Sequence, residues 1–338
     1  MLYVGLDVSS KRTAVCAVDA AGKMVRATTV DSTPEAVAAA IRALGQPVER
    51  IGLEAGPTSA WIARELRAVG LPAIVIDAAH AAAALRTGFR NKTDKNDARG
   101  IADLMRVNRF RTVHVKSPQA QRTRALLVVR DQLRRQSLEA RNAIWAILQA
   151  EGLRPPRIAS AEFRALVAEA MDDPALAPLL APLVAAAERL DELLAEVDGA
   201  IGARAKADPV CRRLMAVPGV GPLVAVTYVA GVDDPARFDK ARTVGAHFGL
   251  TPRRYQSGEV DWSGGISRAG DAGVRRALYQ AANVLIHHSG RWCALKSWAV
   301  RLASRRGLGK AKVALARKLA VVLHRLWASG ETYRAAAA

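Results

Sequence analysis

The 338-residue chain has little cysteine, and its three residues, Cys16, Cys211 and Cys293, stand far apart. An odd number at that spacing forms no disulfide framework and no zinc site, and it points to a reducing compartment. No stretch approaches the roughly 18 uninterrupted apolar residues that read as a membrane span, so no membrane contact is expected. The opening "MLYVGLDVSS" lacks a basic start and a cleavage pattern, so secretion is not expected and a cytoplasmic location is. No Walker-type Gly–Lys loop occurs, which argues against chemistry driven by ATP. Acids are absent altogether from Ala272 to Gly330, while Arg and Lys recur from Arg275 to Arg325.

What is present is positive charge. Lys and Arg number 50 against 31 Asp and Glu, a formal net charge of +19. A solvated surface with no partner is a weaker reading of such a charge than a polyanion partner, most often nucleic acid. The acid-free tract repels itself unless phosphates neutralise it, so binding should depend strongly on salt. Hydrophobic residues, mostly Ala, Val and Leu, make up 51% and supply core for two or three domains.

The first part reads as α/β. Runs at 2–9, 12–19 and 23–30 are β-rich and joined by short turns, which suggests an antiparallel meander. "STPEAVAAAIRALG" and "TSAWIARELRAVG" are helices, each closed by Gly, and strands are expected at 49–55 and 72–78. A helix from about Asp94 to Val107 and a short strand at 111–116 complete a domain over 1–116. Three antiparallel strands followed by alternating helix and strand is the order of an RNase H-like sheet. Segments 117–153 and 174–208 read as long amphipathic helices, a hairpin that pairs within the chain or between subunits, giving a helical segment over 117–208. The remainder, 209–338, is mostly helical. It opens on "PGVGPLVA", a helix-hairpin-helix signature whose turn amides, around Gly219 and Gly221, can meet a phosphate. A Gly/Ser-rich basic loop and a helix starting near Asp271 follow.

Four acids in the first domain invite a metal. Asp7 stands in the first strand where an apolar residue is expected, and an acid there is costly to bury unless paired or metal-bound. Glu54 ends the fourth strand at the edge where open α/β sheets take ligands. Asp94 and Asp97, three residues apart, share a helix face. Each has a plainer reading, Asp94 and Asp97 as helix-start acids favoured by the helix dipole. Together they match the hard oxygen ligands of Mg²⁺ or Mn²⁺. Trp262, Trp292, Trp298 and Trp327 lie among basic residues, as in base-stacking surfaces, although tryptophans at helical spacing are more often core. His287 and His288 are adjacent, so they face different sides of a helix and make a poor metal pair.

With "GLDVSSK", "LEAGPTSAW", "NKTDKNDARGIADL", "PGVGPLVAVTYVAG" and "FGLTPRRYQSGEVDWSGGISRAGDAGVRRAL" in this order, the chain resembles the DEDD-type transposases and recombinases of insertion sequences, the group that includes the Piv and MooV invertases. The resemblance covers essentially the whole chain. It implies a RuvC-like domain of RNase H fold, a coiled-coil segment and a C-terminal transposase domain with a nucleophilic serine. The family's acids fall on Asp7, Glu54, Asp94 and Asp97. Its serine falls on Ser257, with Gln256 replacing the first of two adjacent serines and with Ser263 and Ser267 as alternatives. It further implies donor and target DNA, a noncoding guide RNA from the element's ends, and a dimer or tetramer with composite active sites in the bacterial nucleoid. Basic residues beside these motifs, Arg90, Lys92, Lys95, Arg253, Arg254, Arg268, Arg275 and Arg276, are candidates for nucleic-acid contact. A RuvC-like Holliday-junction nuclease, an invertase without guide RNA and a non-enzymatic nucleic-acid-binding protein are the competing readings.

Overall fold

A computed structural model of the chain describes residues 1–79, 81–82, 93–290 and 292–334. Two compact units form, Met1–Lys116 and Ser117–Ala338.

The first unit is built on one mixed sheet. Strands β1 (Leu2–Val8), β2 (Arg12–Val18), β3 (Met24–Asp31), β4 (Val48–Glu54) and β5 (Ala73–Ile76) lie in the order β3-β2-β1-β4-β5. β1 is antiparallel to β2 and parallel to β4, and β4 is parallel to β5. This arrangement is consistent with the expected RNase H-like sheet. Alternation along β1 sorts its side chains: Leu2, Val4 and Leu6 enter a core with Val37, Ile41, Ile62 and Leu66 from helices α1 (Pro34–Arg42) and α2 (Ser59–Ala68). Thr33 caps α1 by accepting from the Ala36 amide, and Pro34 fits the first turn, where no amide is needed.

Helix α3 (Asp94–Arg106) covers the other face. Gly5 and Gly52 let it approach. A Cβ on Gly5 would stand 1.9 Å from the Ala98 carbonyl oxygen, and one on Gly52 would stand 2.8 Å from the Met105 side chain. The segment expected as a strand at 111–116 makes only one antiparallel bridge, Thr112 to Ile76. The backbone joins β5 at two further points, the Val113 amide to the Val75 carbonyl and the Asp77 amide to the Arg111 carbonyl.

In the second unit, α4 (Pro118–Ala150) and α6 (Ala177–Ala207) pair within the chain, joined through α5 (Ala161–Ala170). Arg130 meets Asp198 and Arg141 meets Asp191, so the two long helices run antiparallel. Where α4 ends, the Trp145 indole donates to the Pro155 and Pro156 carbonyls and fixes the "RPPR" break. Helices α7 (Pro209–Leu214) and α8 (Pro222–Val232) follow across a glycine turn, then the short α9 (Thr243–His247). Strands β6 (Pro252–Ser257) and β7 (Val260–Ile266) form a ribbon, and α10 (Ala272–His287), α11 (Ala294–Arg306) and α12 (Leu308–Ser329) end the unit. Its core centres on Tyr228 and Phe248 with Leu278, Leu285, Leu315, Leu319 and Leu323. The Tyr228 hydroxyl, buried there, donates to the Ala320 carbonyl at 2.7 Å, so no polar atom is left unpaired on that ring. No helix among the described residues is long and apolar enough to cross a membrane.

Candidate active site

Register places the first two acids side by side. Leu6 of β1 stands beside Leu53 of β4 in the last rung of the parallel pair, and Asp7 and Glu54 are the next residues along each strand. Leu6 and Leu53 enter the α1/α2 core, so by alternation Asp7 and Glu54 leave from the α3 face, as Gly5 and Gly52 do. Both acids are half-buried. The Ser59 hydroxyl donates to the Glu54 carbonyl at 2.6 Å and ties the end of β4 to the start of α2.

α3 brings the other two acids to the same edge. Its middle, Ala98 and Ala102, lies on Gly5, while Arg106 at its far end lies against Gly22 in the β2–β3 turn. That turn sits beside the start of β1. α3 therefore runs against β1, and its first turn, with exposed Asp94 and half-buried Asp97, lies toward the strand ends that carry Asp7 and Glu54. Thr93 caps this turn, accepting from the Asn96 amide at 3.2 Å, so both acids also stabilise the helix start. Among the described residues no three His, Cys, Asp or Glu side chains close into a metal cage. The four carboxylates are hard oxygen donors of the kind Mg²⁺ or Mn²⁺ takes, and they form no coordination sphere among the described residues. Lys95 is exposed on the same turn, and Arg90 and Lys92 lie outside the described residues.

In the second unit the expected serine loop is a two-stranded ribbon. Ser257 ends β6 opposite Val260, with Gly258 at φ 56° in the two-residue turn. Alternating residues on both strands and a glycine turn of this length favour a hairpin over an irregular loop. Ser257 is exposed near the tip, Ser263 lies across from Arg254, and Ser267 follows β7 with its amide on the Thr251 carbonyl at 2.8 Å. Thiol chemistry is a poor competitor: burial, then the charge of Asp208, pushes the Cys211 thiol up to about 12.

The candidate arginines divide by what they touch. Arg254 spans the ribbon to Asp261 in two hydrogen bonds of 2.9 and 2.6 Å. Arg275 donates to the carbonyls of Phe248, Ala269 and Gly270, and Arg276 pairs with Asp131. Arg253 and Arg268 are exposed on the ribbon and just after it; the Arg253 guanidinium donates to the Ser267 carbonyl at 3.2 Å, and Arg268 adopts φ 57° with its amide donating to the Gly249 carbonyl. Of the two turn glycines, Gly219 is turned inward. Its φ is 86°, and a Cβ there would lie 2.5 Å from the Ala281 carbonyl oxygen. Gly221 caps α8 and faces open space. Three cations escaped the motif reading: Lys310, Arg317 and Lys318 of α12 border one cleft with Arg253 and Arg268. Their spacing of seven and eight residues, which returns to one side of a helix, was the available signal.

Known proteins match along the chain. Residues 211–296 fit the family described as "Transposase IS116/IS110/IS902 family", and residues 4–151 fit the DEDD transposase family of IS110, described as "Transposase". The transposase for insertion sequence element IS1111A of Coxiella burnetii is 31% identical over 341 residues, covering 99% of this chain and 92% of that protein. A probable family 20 transposase of Pseudomonas aeruginosa is 30% identical over 84% of this chain and 85% of its own length. The transposase for IS1328 of Yersinia enterocolitica is 32% identical over 68% of this chain and 70% of its own.

Proposed function

The chain belongs to the IS116/IS110/IS902 family of transposases, and on that premise we propose how this insertion-sequence transposase cuts and rejoins DNA. The Ser257 hydroxyl attacks the phosphorus of a phosphodiester. The Oγ–P bond forms as one P–O bond to a deoxyribose breaks, and the serine proton ends on the freed strand-end hydroxyl. The phosphoserine link keeps the energy of the broken ester, so the hydroxyl of a second strand end displaces Ser257 and rejoins DNA without ATP. Asp7, Glu54, Asp94 and Asp97 would hold Mg²⁺ or Mn²⁺ through carboxylate oxygens. When bound, such a cation neutralises charge developing on the reacting phosphate and the departing oxygen. Arg253 and Arg268 orient neighbouring phosphates.

What supports this reading is that Asp7 and Glu54 directly follow Leu6 and Leu53, the last rung of the parallel β1–β4 pair, with the acidic first turn of α3 lying toward that edge. Acids gathered at the carboxyl ends of parallel strands, in a chain of net charge +19, suit a cation shared with a phosphate better than a solvated surface. A noncoding guide RNA from the element's ends and a dimer or tetramer with composite sites complete the proposal. The charge supports the RNA, and the family resemblance supports both.

The test is covalent trapping. Labelled DNA of the element's ends is incubated with the full chain and Mg²⁺, then run on a denaturing gel. The wild type should carry label on protein, and Ser257→Ala should carry none while still shifting the DNA on a native gel. Wild-type adduct in Ser257→Ala overturns the nucleophile, and loss in Ser263→Ala or Ser267→Ala alone moves it there. Strand cleavage with no adduct in the wild type favours a hydrolytic RuvC-like nuclease.

A further inference from the structure

Trp262 is held as an open aromatic platform inside a cationic cleft of the second unit. The cleft, about 1310 Å³, runs between the β6–β7 ribbon and α12. Its charged lining is entirely basic: Arg253 and Arg268 on the ribbon side, Lys310, Arg317 and Lys318 on α12. This exceeds the roughly 300–1,000 Å³ of most small-molecule pockets, and five cations with no acid among the lining residues match a polyanion.

Two glycines shape it. A Cβ on Gly264 would lie 2.4 Å from the Trp262 indole, so the ring packs over this position of the ribbon where only glycine leaves room. Gly264 does not have a positive φ, so no backbone strain explains it. On the other wall, a Cβ on Gly245 would lie 2.9 Å from the Arg317 stem, which lets that side chain run close to α9. Trp262 remains 59% exposed, opposite Tyr255 on β6, which is 61% exposed. The other tryptophan of the cleft, Trp298, is half-buried against the core and already carries the Lys318 ammonium 4.4 Å from its ring centre. Of the two tryptophans lining the cleft, Trp262 is therefore the one open to a ligand.

We propose that this cleft seats an unpaired stretch of DNA strand, with one base stacked on Trp262 and the flanking phosphates on Arg253, Arg268, Lys310 and Arg317. Paired bases present no face to stack on, whereas an aromatic platform among cations takes single strands with little regard to sequence. The choice of DNA rests on the strand-transfer reading given above, and the seat itself does not depend on Ser257 or on a metal.

The experiment measures binding alone, so it stays separate from the chemistry. Fluorescence anisotropy of the full chain in EDTA compares a labelled 20-nucleotide poly-dT, the RNA equivalent poly-U, and a 20-base-pair duplex. Trp262→Ala should weaken poly-dT about tenfold, as expected for one stacked base, and change the duplex less than twofold. Trp262→Phe should recover most of the loss, and Gly264→Val, which displaces the indole, should reproduce it. Lys310→Gln should lower the salt dependence of poly-dT binding by about one phosphate contact. Unchanged poly-dT binding in Trp262→Ala, or equal loss on strand and duplex, overturns the platform. Poly-U bound more than tenfold tighter than poly-dT overturns the assignment to DNA. Failure of covalent trapping with these results intact would discard the serine mechanism and leave the seat standing.

Discussion

Gly5 of β1 lies directly against the backbone of Ala98 on α3, closer than any other residue type allows. This contact sets how near α3 comes to the sheet, and with it where Asp94 and Asp97 stand relative to Asp7 and Glu54. A Cβ at position 5 would meet the Ala98 carbonyl oxygen at 1.9 Å and the Ala102 nitrogen at 2.4 Å. Backbone atoms in a packed helix cannot step aside as a side-chain tip can. Gly5→Ala should therefore cost about 3 kcal/mol, at the upper end of ordinary overpacking, or force α3 away from the sheet. Urea unfolding followed by circular dichroism checks the stability. Loss of DNA cleavage with native-like stability would show the displaced helix directly, and wild-type values for both would refute the contact.

The position of Asp7 and Glu54 just past the last rung of the β1–β4 pair makes a second prediction. Asp7→Asn and Glu54→Gln keep the side-chain shape and remove a charged oxygen ligand each. Either should lower strand cleavage by 100-fold or more, since transition-state charge stabilisation by a metal is worth several kcal/mol and each 1.4 kcal/mol is tenfold. DNA binding in EDTA should be unaffected. EDTA should stop cleavage by the wild type, and added Mg²⁺ or Mn²⁺ should restore it. Cleavage at wild-type rate in Asp7→Asn would remove the metal role from this edge.

Much of this was readable in the residues, and the failures have physical causes. β1 to β5 and α3 followed from alternation and cap residues, because local pattern and burial agree there. Asp7 stood out since an acid interrupts an apolar strand. Its neighbourhood with Glu54 did not, because register between strands 40 residues apart in sequence is set by tertiary pairing. The serine segment read as a loop because "GEVDWSGGIS" is rich in Gly and Ser, yet Gly264 serves the Trp262 ring and Gly258 the hairpin turn. Arg275 looked like a phosphate ligand by charge, and only the fold shows its guanidinium on three backbone carbonyls. The strand expected at 111–116 had β-rich residues, yet it pairs with β5 through a single bridge, Thr112 to Ile76.

Asp271 links stability to pH. It caps α10, accepting from the Gly273 and Val274 amides at 2.8 and 3.1 Å, and it pairs with Arg124 of α4. Burial pushes this carboxyl up, but the hydrogen bond and charge of Arg124, with the two amides, outweigh it and hold the group below the usual carboxylate range. A depressed folded-state value means that the stabilisation is complete above the unfolded value near 3.9 and fades as pH falls through the lower folded value. Asp271→Ala should cost about 2 kcal/mol at pH 7, combining a lost cap with a lost charged hydrogen bond. The gap between variant and wild type should narrow below about pH 4. Urea unfolding at pH 7 and pH 3.5 checks this, and a gap that is constant or wider at low pH would contradict the sign.

The glycine turn between α7 and α8 separates packing from phosphate contact, because its two glycines face opposite ways. Gly219, at φ 86° and pressed on the Ala281 carbonyl, is structural: Gly219→Ala adds left-handed strain and a clash, and should destabilise the chain by about 2–4 kcal/mol. Gly221 has extended backbone, φ −93° and ψ −179°, and open space where a Cβ would go. Gly221→Ala should therefore cost under about 1 kcal/mol, the ordinary cost of a poorer helix cap. If the turn amides hold a DNA phosphate, the added methyl at position 221 stands in its way, and duplex binding should fall severalfold while the melting temperature barely moves. Melting and duplex affinity measured on both variants decide it. Unchanged affinity in Gly221→Ala would leave the turn as a packing device and place duplex contact elsewhere on the basic surface.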